Sequence, residues 1–281
     1  MSEPQLSEAP AIRMALALAT AELRDAACDA PRLDAELLLA HALGTSRTTL
    51  HLRPERELSD EQAARFAHML WRRRRREPVA YIVGSKPFRN IELTVDPRVL
   101  VPRPETELLV EVALGLPRGA CVADVGTGSG AVALALKHER PDLTVHATDA
   151  SPGALEVARA NAERLELDVQ LSLGDLLDPL DPHPLDAILS NPPYIGTGER
   201  SELAPEIKDH EPPEALFAGS DGLDVIRRLV PAAAARAPFV ALEIGAGQAQ
   251  AVAELLRAEG MTDVVAHRDL AGHERVIVGR R

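Results

Sequence analysis

The chain has 281 residues, a length that suggests one large domain or two modest ones. Its hydrophobic (46%) and charged (26%) fractions exclude a disordered or fibrous protein. The first 84 residues are neutral, with 12 arginines and 12 acidic residues, so the net charge of −12 falls on the remainder. Broad contact between that acidic remainder and a nucleic acid is disfavoured, because it would release few counterions.

Signals for secretion, membrane insertion and metal binding are missing from the sequence. The first ten residues include Glu3 and Glu8 but no Lys or Arg, unlike a signal peptide, and no apolar run reaches the ~18 residues of a membrane span. Cys28 and Cys121 cannot form a disulfide framework or a four-ligand zinc site. We expect a soluble, cytoplasmic protein without a metal, in which both cysteines are small buried side chains.

The first 84 residues predict a small all-helical bundle. Helices are expected over Ile12–Ala26 and Leu33–Leu43 and from Ser59 to about Arg76, from apolar stripes with helical spacing. Pro31 is expected to interrupt the pattern, and Gly44 to end the second helix. Ser59 and Gln62 have the spacing of a capping box, which marks the start of the third helix.

Five consecutive arginines, Arg72–Arg76, form the one local concentration of positive charge. We favour a solvated helix end, because cations are stabilised in a last helical turn and Glu77-Pro78 follows as a stop. Contact with an RNA or a protein partner is the alternative interpretation.

Residues 85–106 predict a hairpin and connector, because Ile91, Leu93 and Val95 alternate and prolines are frequent. From residue 107 to 281, short apolar strands alternate with helices. The strands are expected at Cys121–Val125, Thr144–Thr148, Val169–Leu173, Asp186–Ser190, Phe239–Ile244, Asp263–His267 and Arg275–Val278, with helices at Ala131–His138 and from Pro152 to Leu165. This alternation predicts a doubly wound α/β domain with a seven-stranded, mostly parallel sheet.

A glycine-rich turn between the first of these strands and the following helix is the first candidate ligand site. It consists of Asp124, Gly126, Thr127, Gly128, Ser129 and Gly130. Bare backbone at a helix N-terminus lets a ligand approach closely. Asp149 ends the next strand, where a carboxylate accepts ribose hydroxyls, while Ser151 supplies the N-cap of the following helix. Asp175 and Leu176 are expected to bracket an adenine, and both NAD and S-adenosyl-L-methionine fit this pattern.

The tetrapeptide Asn191-Pro192-Pro193-Tyr194 follows the fourth strand directly. The carboxyl ends of strands in such sheets face the ligand crevice. Two prolines stiffen the loop, so that the Pro192 carbonyl and the Asn191 amide oxygen become acceptors and Tyr194 a flat wall. Two acceptors grip the hydrogens of a planar –NH2 and align its nitrogen with the methyl group of a sulfonium, which is catalysis by positioning and electrostatics.

Further motifs occur in one order along nearly the whole chain. They are Tyr81-Ile82-Val83-Gly84, Val101-Pro102-Arg103-Pro104-Glu105-Thr106-Glu107, Asp124–Gly130, Asn191–Ile195, Glu211-Pro212, Ala215-Leu216, Asp221-Gly222-Leu223 and Leu242-Glu243-Ile244-Gly245. Together they resemble the PrmC (HemK) family of protein-(glutamine-N5) methyltransferases of peptide chain release factors. The Arg103-Pro104-Glu105-Thr106 element distinguishes this family from the sister family that methylates a ribosomal-protein glutamine.

The resemblance implies a Rossmann-like methyltransferase domain that uses S-adenosyl-L-methionine, and an N-terminal helical domain that recognises the substrate. Gly126–Gly130, Asp149, Leu176 and Asn191 would contact the cofactor, and Asn191–Tyr194 the substrate amide. That substrate would be the glutamine of the Gly-Gly-Gln loop in class I release factors. Leu176 stands where many relatives have an aromatic residue, so it would cover the adenine without ring stacking.

Two other functions stay open at this point. One is methyl transfer to an RNA or DNA amino group or to another protein's glutamine, which Arg72–Arg76 motivates. The other is a nicotinamide-linked oxidoreductase or a non-catalytic nucleotide-binding module, since Gly126, Gly128 and Ala131 also satisfy the dinucleotide fingerprint.

Overall fold

The computed structural model describes residues 10–180 and 184–281, so Glu3 and Glu8 lie outside the described residues. The chain divides into two compact units. The first comprises residues up to Gly84 together with Pro205–His210, and the second comprises Ser85–Ala204 and Glu211–Arg281. None of the helices in the described ranges is long and apolar enough to cross a membrane.

The regular elements alternate as the sequence predicts after the hairpin. The helices are α1 (Ile12–Asp25), α2 (Pro31–Leu43), α3 (Arg47–Leu52), α4 (Asp60–Arg74), α5 (Val79–Val83), α6 (Glu107–Ala113), α7 (Ala131–Glu139), α8 (Pro152–Leu165), α9 (Pro205–Lys208), α10 (Asp224–Arg236) and α11 (Ala249–Ala258). The strands are β1 (Ser85–Phe88), β2 (Ile91–Thr94), β3 (Cys121–Val125), β4 (Thr144–Asp149), β5 (Gln170–Leu173), β6 (Ala187–Ser190), β7 (Phe239–Glu243), β8 (Asp263–Arg268) and β9 (Glu274–Arg280).

The helical unit is organised around an aliphatic core to which α1, α2 and α4 each contribute buried residues. The predicted capping box is confirmed: Ser59 accepts a hydrogen bond from the Gln62 amide, and the Gln62 side chain accepts one from Ser59. Gly44 ends α2 in the left-handed conformation, as expected. The expectation for Pro31 is wrong, because Pro31 begins α2 instead of interrupting it. Proline suits a first helical position, where its missing N–H would have no partner.

The arginine run does not form a uniformly solvated helix end. Arg73 is only 5% exposed: its Nε donates to Asp34 Oδ2 at 2.8 Å, and its Nη2 lies 2.7 Å from Glu206 Oε1. Arg76 binds the other oxygen of Glu206 at 2.6 Å. The interpretation as a solvated helix end is therefore wrong for Arg73, because its guanidinium is buried and paired with carboxylates that are distant in the sequence. The other three arginines are also engaged: Arg72 with Glu77, Arg74 with Glu22, and Arg75 over the Trp71 ring.

Replacing Arg73 by alanine is expected to destabilise the helical unit by about 3–5 kcal/mol, the cost of leaving buried carboxylates without a partner. Arg74→Ala is the matched control, because the pair that Arg74 forms with Glu22 is exposed and is worth no more than about 1 kcal/mol. Trp71 is the one tryptophan of the chain and lies in α4, so its fluorescence during urea unfolding reports on this unit. Equal effects of the two substitutions would contradict the buried cluster.

The second unit contains the predicted hairpin, β1 paired with β2, and a seven-stranded sheet in the order β5-β4-β3-β6-β7-β9-β8. The first five strands of that order are mutually parallel, and β9 runs antiparallel to both β7 and β8. This is the doubly wound, mostly parallel sheet that the sequence predicts. The chain order reverses between β3 and β6, and a crevice beyond the carboxyl ends of the strands opens at such a point.

The central strands are short apolar segments because both faces of the sheet are covered there. All four residues of β6 and all five of β7 are buried, as expected of strands covered on both faces. Two buried carboxylates, Asp124 in β3 and Glu243 at the end of β7, break this apolar pattern. The expectation for the cysteines holds for Cys28, which is buried, whereas Cys121 at the start of β3 is only partly buried.

Candidate active site

A buried carboxylate, that of Asp124, holds the glycine-rich turn in place. Asp124 Oδ2 accepts hydrogen bonds from Thr127 Oγ1 at 2.6 Å and from the Ala133 amide at 3.2 Å. Burial raises the pKa of Asp124 to about 6. Gly130 has φ +84°, and a Cβ there would lie 2.8 Å from Leu134 Cδ1. The turn therefore needs glycine for both its backbone conformation and its packing against α7.

Asp149 lies at the end of β4, beside that turn. Its Oδ2 accepts from the Gly128 amide at 2.8 Å and its Oδ1 from the Ser151 amide at 2.9 Å, while burial raises the pKa of this carboxyl. Ser151 caps α8 itself by accepting from Ala154, as predicted. The Ala150 amide also bonds to this carboxylate, so backbone donors hold Asp149 in place while it lines the cavity.

Asp175 and Leu176 lie on the same cavity wall. The Asp175 carboxylate forms an ion pair with Arg228 of α10, a partner that the sequence did not indicate. Leu176 adopts a left-handed backbone conformation, with φ 48°, and its carbonyl accepts from Thr148 Oγ1 at 2.7 Å. It is partly buried and packs against the hydrophobic core of the second unit.

The loop Asn191–Tyr194 follows β6 directly. Asn191 Nδ2 donates to Thr106 Oγ1 at 3.1 Å, and Asn191 Oδ1 has no hydrogen-bond partner among residues 10–180 and 184–281. Tyr194 is half-buried; its hydroxyl donates to Glu243 Oε1 at 3.2 Å, and its carbonyl accepts from Gln248 Nε2 at 2.9 Å. The loop is therefore anchored at both ends.

A cavity of about 600 Å³ joins these elements. Its walls include the glycine turn, the ends of β4 and β5, and the first three residues of the Asn-Pro-Pro-Tyr loop, together with Thr106 and Val99–Leu100 of the connector. Every predicted cofactor residue lines this cavity except Gly130, and of the predicted substrate residues Tyr194 is not part of its lining. The arrangement provides bare glycine backbone, carboxylate acceptors and an apolar wall, which is what a nucleoside-containing ligand requires.

Thr106 and Glu243, which hold residues of the Asn-Pro-Pro-Tyr loop, were not predicted as site residues. Thr106 is 4% exposed and bonded to Asn191; Glu243 is 1% exposed and bonded to Tyr194. A signal for Glu243 existed: a carboxylate ends an otherwise apolar strand next to β6, as Asp149 ends β4. Thr106 belongs to the Arg103-Pro104-Glu105-Thr106 element that marks the family resemblance, but its contact with Asn191, 85 positions away, had no local signal.

Gly222→Ala is expected to lower turnover at least about 10-fold, because a one-ångström misplacement of catalytic groups is costly. Gly222 has φ +75°, and a Cβ there would lie 2.0 Å from the Tyr194 carbonyl oxygen, so the loop must move. Gly198→Ala is the control, since Gly198 has ordinary φ and no atom within 4 Å of a new Cβ. Steady-state kinetics together with thermal unfolding check this; unchanged turnover in a folded Gly222→Ala protein would contradict it.

Two family models match the chain. The model described as PrmC N-terminal domain matches residues 14–84, and the model described as Methyltransferase small domain matches residues 104–211. Curated relatives named release factor glutamine methyltransferase match nearly the full length. The relative from Koribacter versatilis is 42% identical over 277 residues, covering 96% of this chain and 98% of its own. The relative from Deinococcus radiodurans is 44% identical over 276 residues, with the same coverage.

Solved structures similar to the chain confirm the fold alone. The 16S rRNA N2 G1207 methyltransferase of T. thermophilus, in complex with AdoMet and guanosine, aligns with a TM-score of 0.53 and 21% identity over 70% of this chain and 49% of its own. The hMettl16 catalytic domain, in complex with an RNA hairpin, aligns with a TM-score of 0.54 and 16% identity over 79% of this chain and 82% of its own. Both support a Rossmann-like methyltransferase sheet.

Proposed function

Because the chain belongs to the release factor glutamine methyltransferase family, we propose that it methylates the glutamine of the Gly-Gly-Gln motif in class I peptide chain release factors. The methyl group of S-adenosyl-L-methionine is transferred to the side-chain amide nitrogen, N5, of that glutamine. The observation that carries the proposal is the Asn191 amide, whose nitrogen is held by Thr106 while its oxygen has no partner within the described ranges. An outward acceptor beside a nucleoside-sized cavity suits a carboxamide –NH2.

The residues of the cavity fit S-adenosyl-L-methionine. The Asp149 carboxylate is an acceptor for a ribose hydroxyl, and the glycine turn brings bare backbone to the wall of the same space. Leu176 gives an apolar surface for the adenine, and Asp175 an acceptor for its amino group in competition with Arg228. When bound, this cofactor supplies an electrophilic methyl carbon on a sulfonium.

The Asn-Pro-Pro-Tyr loop orients the substrate amide. An amide nitrogen is a poor nucleophile, because its lone pair is delocalised into the carbonyl. Asn191 Oδ1 and the Pro192 carbonyl accept its two N–H groups, which places the lone pair in line with the methyl carbon and stabilises the positive charge that develops on nitrogen. Pro193 keeps the loop stiff, and Tyr194 forms its outer wall. The amide nitrogen would form the new C–N bond as the bond between the methyl carbon and the sulfonium sulfur breaks, a neutral thioether would be the leaving group, and one N–H proton would then leave to water.

A protein substrate is favoured over a nucleic acid by charge. Contact with the second unit would release few counterions from a polyanion, because that unit is acidic. In the helical unit, Arg72, Arg73, Arg74 and Arg76 are paired with carboxylates, which leaves little of their charge for phosphates. We propose that residues 1–84 contribute to release-factor recognition, and that the protein acts in the cytoplasm, where translation terminates.

The test is methylation of a purified release factor by the protein with labelled methyl donor, followed by peptide mass spectrometry. We expect N5-methylglutamine in the Gly-Gly-Gln peptide and no label when that glutamine is replaced by alanine. Ribosomal material, with and without RNase treatment, is the competing substrate. Label in RNase-sensitive material or in a ribosomal protein, and none in the release factor, would contradict the proposal.

A further inference from the structure

Two segments of the second unit hold the Asn-Pro-Pro-Tyr loop, one at each end. At the start of the loop, Asn191 Nδ2 donates to Thr106 Oγ1 of the connector at 3.1 Å. Directly after its end, the Ile195 amide donates to the Leu216 carbonyl at 2.9 Å. The two ends of the loop are therefore placed by two different segments, the connector and residues 211–216.

One ion pair joins these two segments. Arg103 Nη2 donates to Glu211 Oε1 at 2.6 Å. Arg103 belongs to the connector, and its carbonyl accepts from the Thr106 amide at 3.1 Å. Glu211 begins the other segment, and the two prolines that follow it restrict the backbone there. The pair thus closes a ring of contacts that leaves the loop at Asn191 and returns to it at Ile195.

The carboxylate of this pair is buried beside the cavity. The Glu211 side chain is only 1% exposed, and its Oε2 is buried without a partner among the residues that the structure describes. Burial raises the pKa of Glu211, and the charge of Arg103 opposes the rise. Pro102 and Pro212, the neighbours of the two charged residues in the chain, both line the cavity. A buried carboxylate without its cation is costly, so the two segments are held together at this point.

We propose that Arg103 and Glu211 form a positioning pair that sets the distance between the two ends of the Asn-Pro-Pro-Tyr loop, so that Asn191 Oδ1 and the Pro192 carbonyl reach the same substrate nitrogen. This inference rests on the proposed function, because it assigns a cause to the two-acceptor geometry on which that function depends. Neither charged residue touches the substrate or the cofactor in this account, since both act through the loop.

Two conservative substitutions test the pair. Glu211→Gln keeps the shape and one acceptor oxygen but removes the charge, and Arg103→Lys keeps the charge but loses the planar fork of the guanidinium. We expect each to lower kcat for the release factor about 10- to 100-fold, the cost of a misplacement of about one ångström. The cofactor dissociation constant, measured by calorimetry, should change far less.

Glu139→Gln is the matched control. Glu139 pairs with Arg89 at 2.5 Å, and the two side chains are 15% and 14% exposed, so this is also a largely buried ion pair of the second unit. Neither residue lines the cavity. Thermal unfolding should show a loss of stability in Glu139→Gln as in Glu211→Gln, whereas kcat should fall only in Glu211→Gln.

Combined substitutions separate positioning from a purely structural role. The double variant Arg103→Lys/Glu211→Gln should be no worse than the weaker of the two single variants, because both disturb one contact. In an Asn191→Ala background, Glu211→Gln should lower the remaining turnover by a clearly smaller factor than in the wild type, because the acceptor that the pair positions is already gone. A purely structural role predicts the same factor in both backgrounds.

The outcomes distinguish this inference from the proposed function. If the wild type methylates the release factor while Glu211→Gln and Arg103→Lys lose no more turnover than Glu139→Gln, the inference is overturned and the function stands. An equal factor for Glu211→Gln with and without Asn191 would also overturn it. If the wild type transfers no methyl group to the release factor, the proposed function fails and the inference fails with it.

Discussion

Asn191→Ala is expected to lower turnover about 100-fold or more, the cost of removing one aligned group that stabilises charge in a transition state. The cofactor dissociation constant should change far less, because the asparagine oxygen acts on the substrate amide. The structure supports this difference, since Asn191 is fixed through Nδ2 to Thr106 and its oxygen remains for the substrate. Single-turnover methyl transfer and calorimetric titration of the cofactor measure the two quantities separately.

The control for this substitution is Asn90→Ala in the β1–β2 turn, which removes an asparagine side chain without touching the cavity lining. It should leave both quantities as in the wild type. Equal losses of turnover and cofactor affinity in Asn191→Ala would show that Asn191 is mainly a cofactor ligand.

Asp149→Ala is expected to weaken cofactor binding and to leave turnover nearly unchanged. Losing a hydrogen bond to a charged acceptor costs about 1.5–3 kcal/mol, so the cofactor dissociation constant should rise about 10- to 100-fold. Turnover at saturating cofactor should stay close to that of the wild type. Because Asp149 also holds the amides of Gly128 and Ser151, Asp149→Asn, which keeps one acceptor oxygen, should lie between the two.

Asp263→Ala on β8 is the matched control, since its carboxylate pairs at the surface with Arg280 and does not line the cavity. Calorimetry and thermal unfolding of the three variants check the prediction. A loss of turnover in Asp149→Ala that persists at saturating cofactor would contradict the assignment of Asp149 to cofactor binding.

Local patterns predicted the framework of the second unit well, because its strands are short apolar runs bounded by turns and buried on both faces. Cys121–Val125 matches β3 at both ends, and the helix from Pro152 to Leu165 matches α8, where Ser151 supplies a local cap. The place of Asn191 in the cavity wall followed from its position directly after the carboxyl end of a short apolar strand, β6, which is entirely buried.

Pairings between charged residues far apart in the sequence could not be predicted in this way. Arg73 meets Asp34 across 39 positions, and Asp175 meets Arg228 across 53. No periodicity records such contacts, because only the folded chain brings the partners together. The grouping of Pro205–His210 with the helical unit has the same origin, since Glu206 of that segment binds Arg73 and Arg76.

A crystal structure of the protein with S-adenosyl-L-homocysteine and a release factor tests the account most directly. We expect the glutamine amide nitrogen within hydrogen-bond distance, about 3 Å, of both Asn191 Oδ1 and the Pro192 carbonyl oxygen, with the cofactor sulfur behind it. A glutamine held elsewhere, or an Asn191 that turns its nitrogen toward the substrate, would contradict the account.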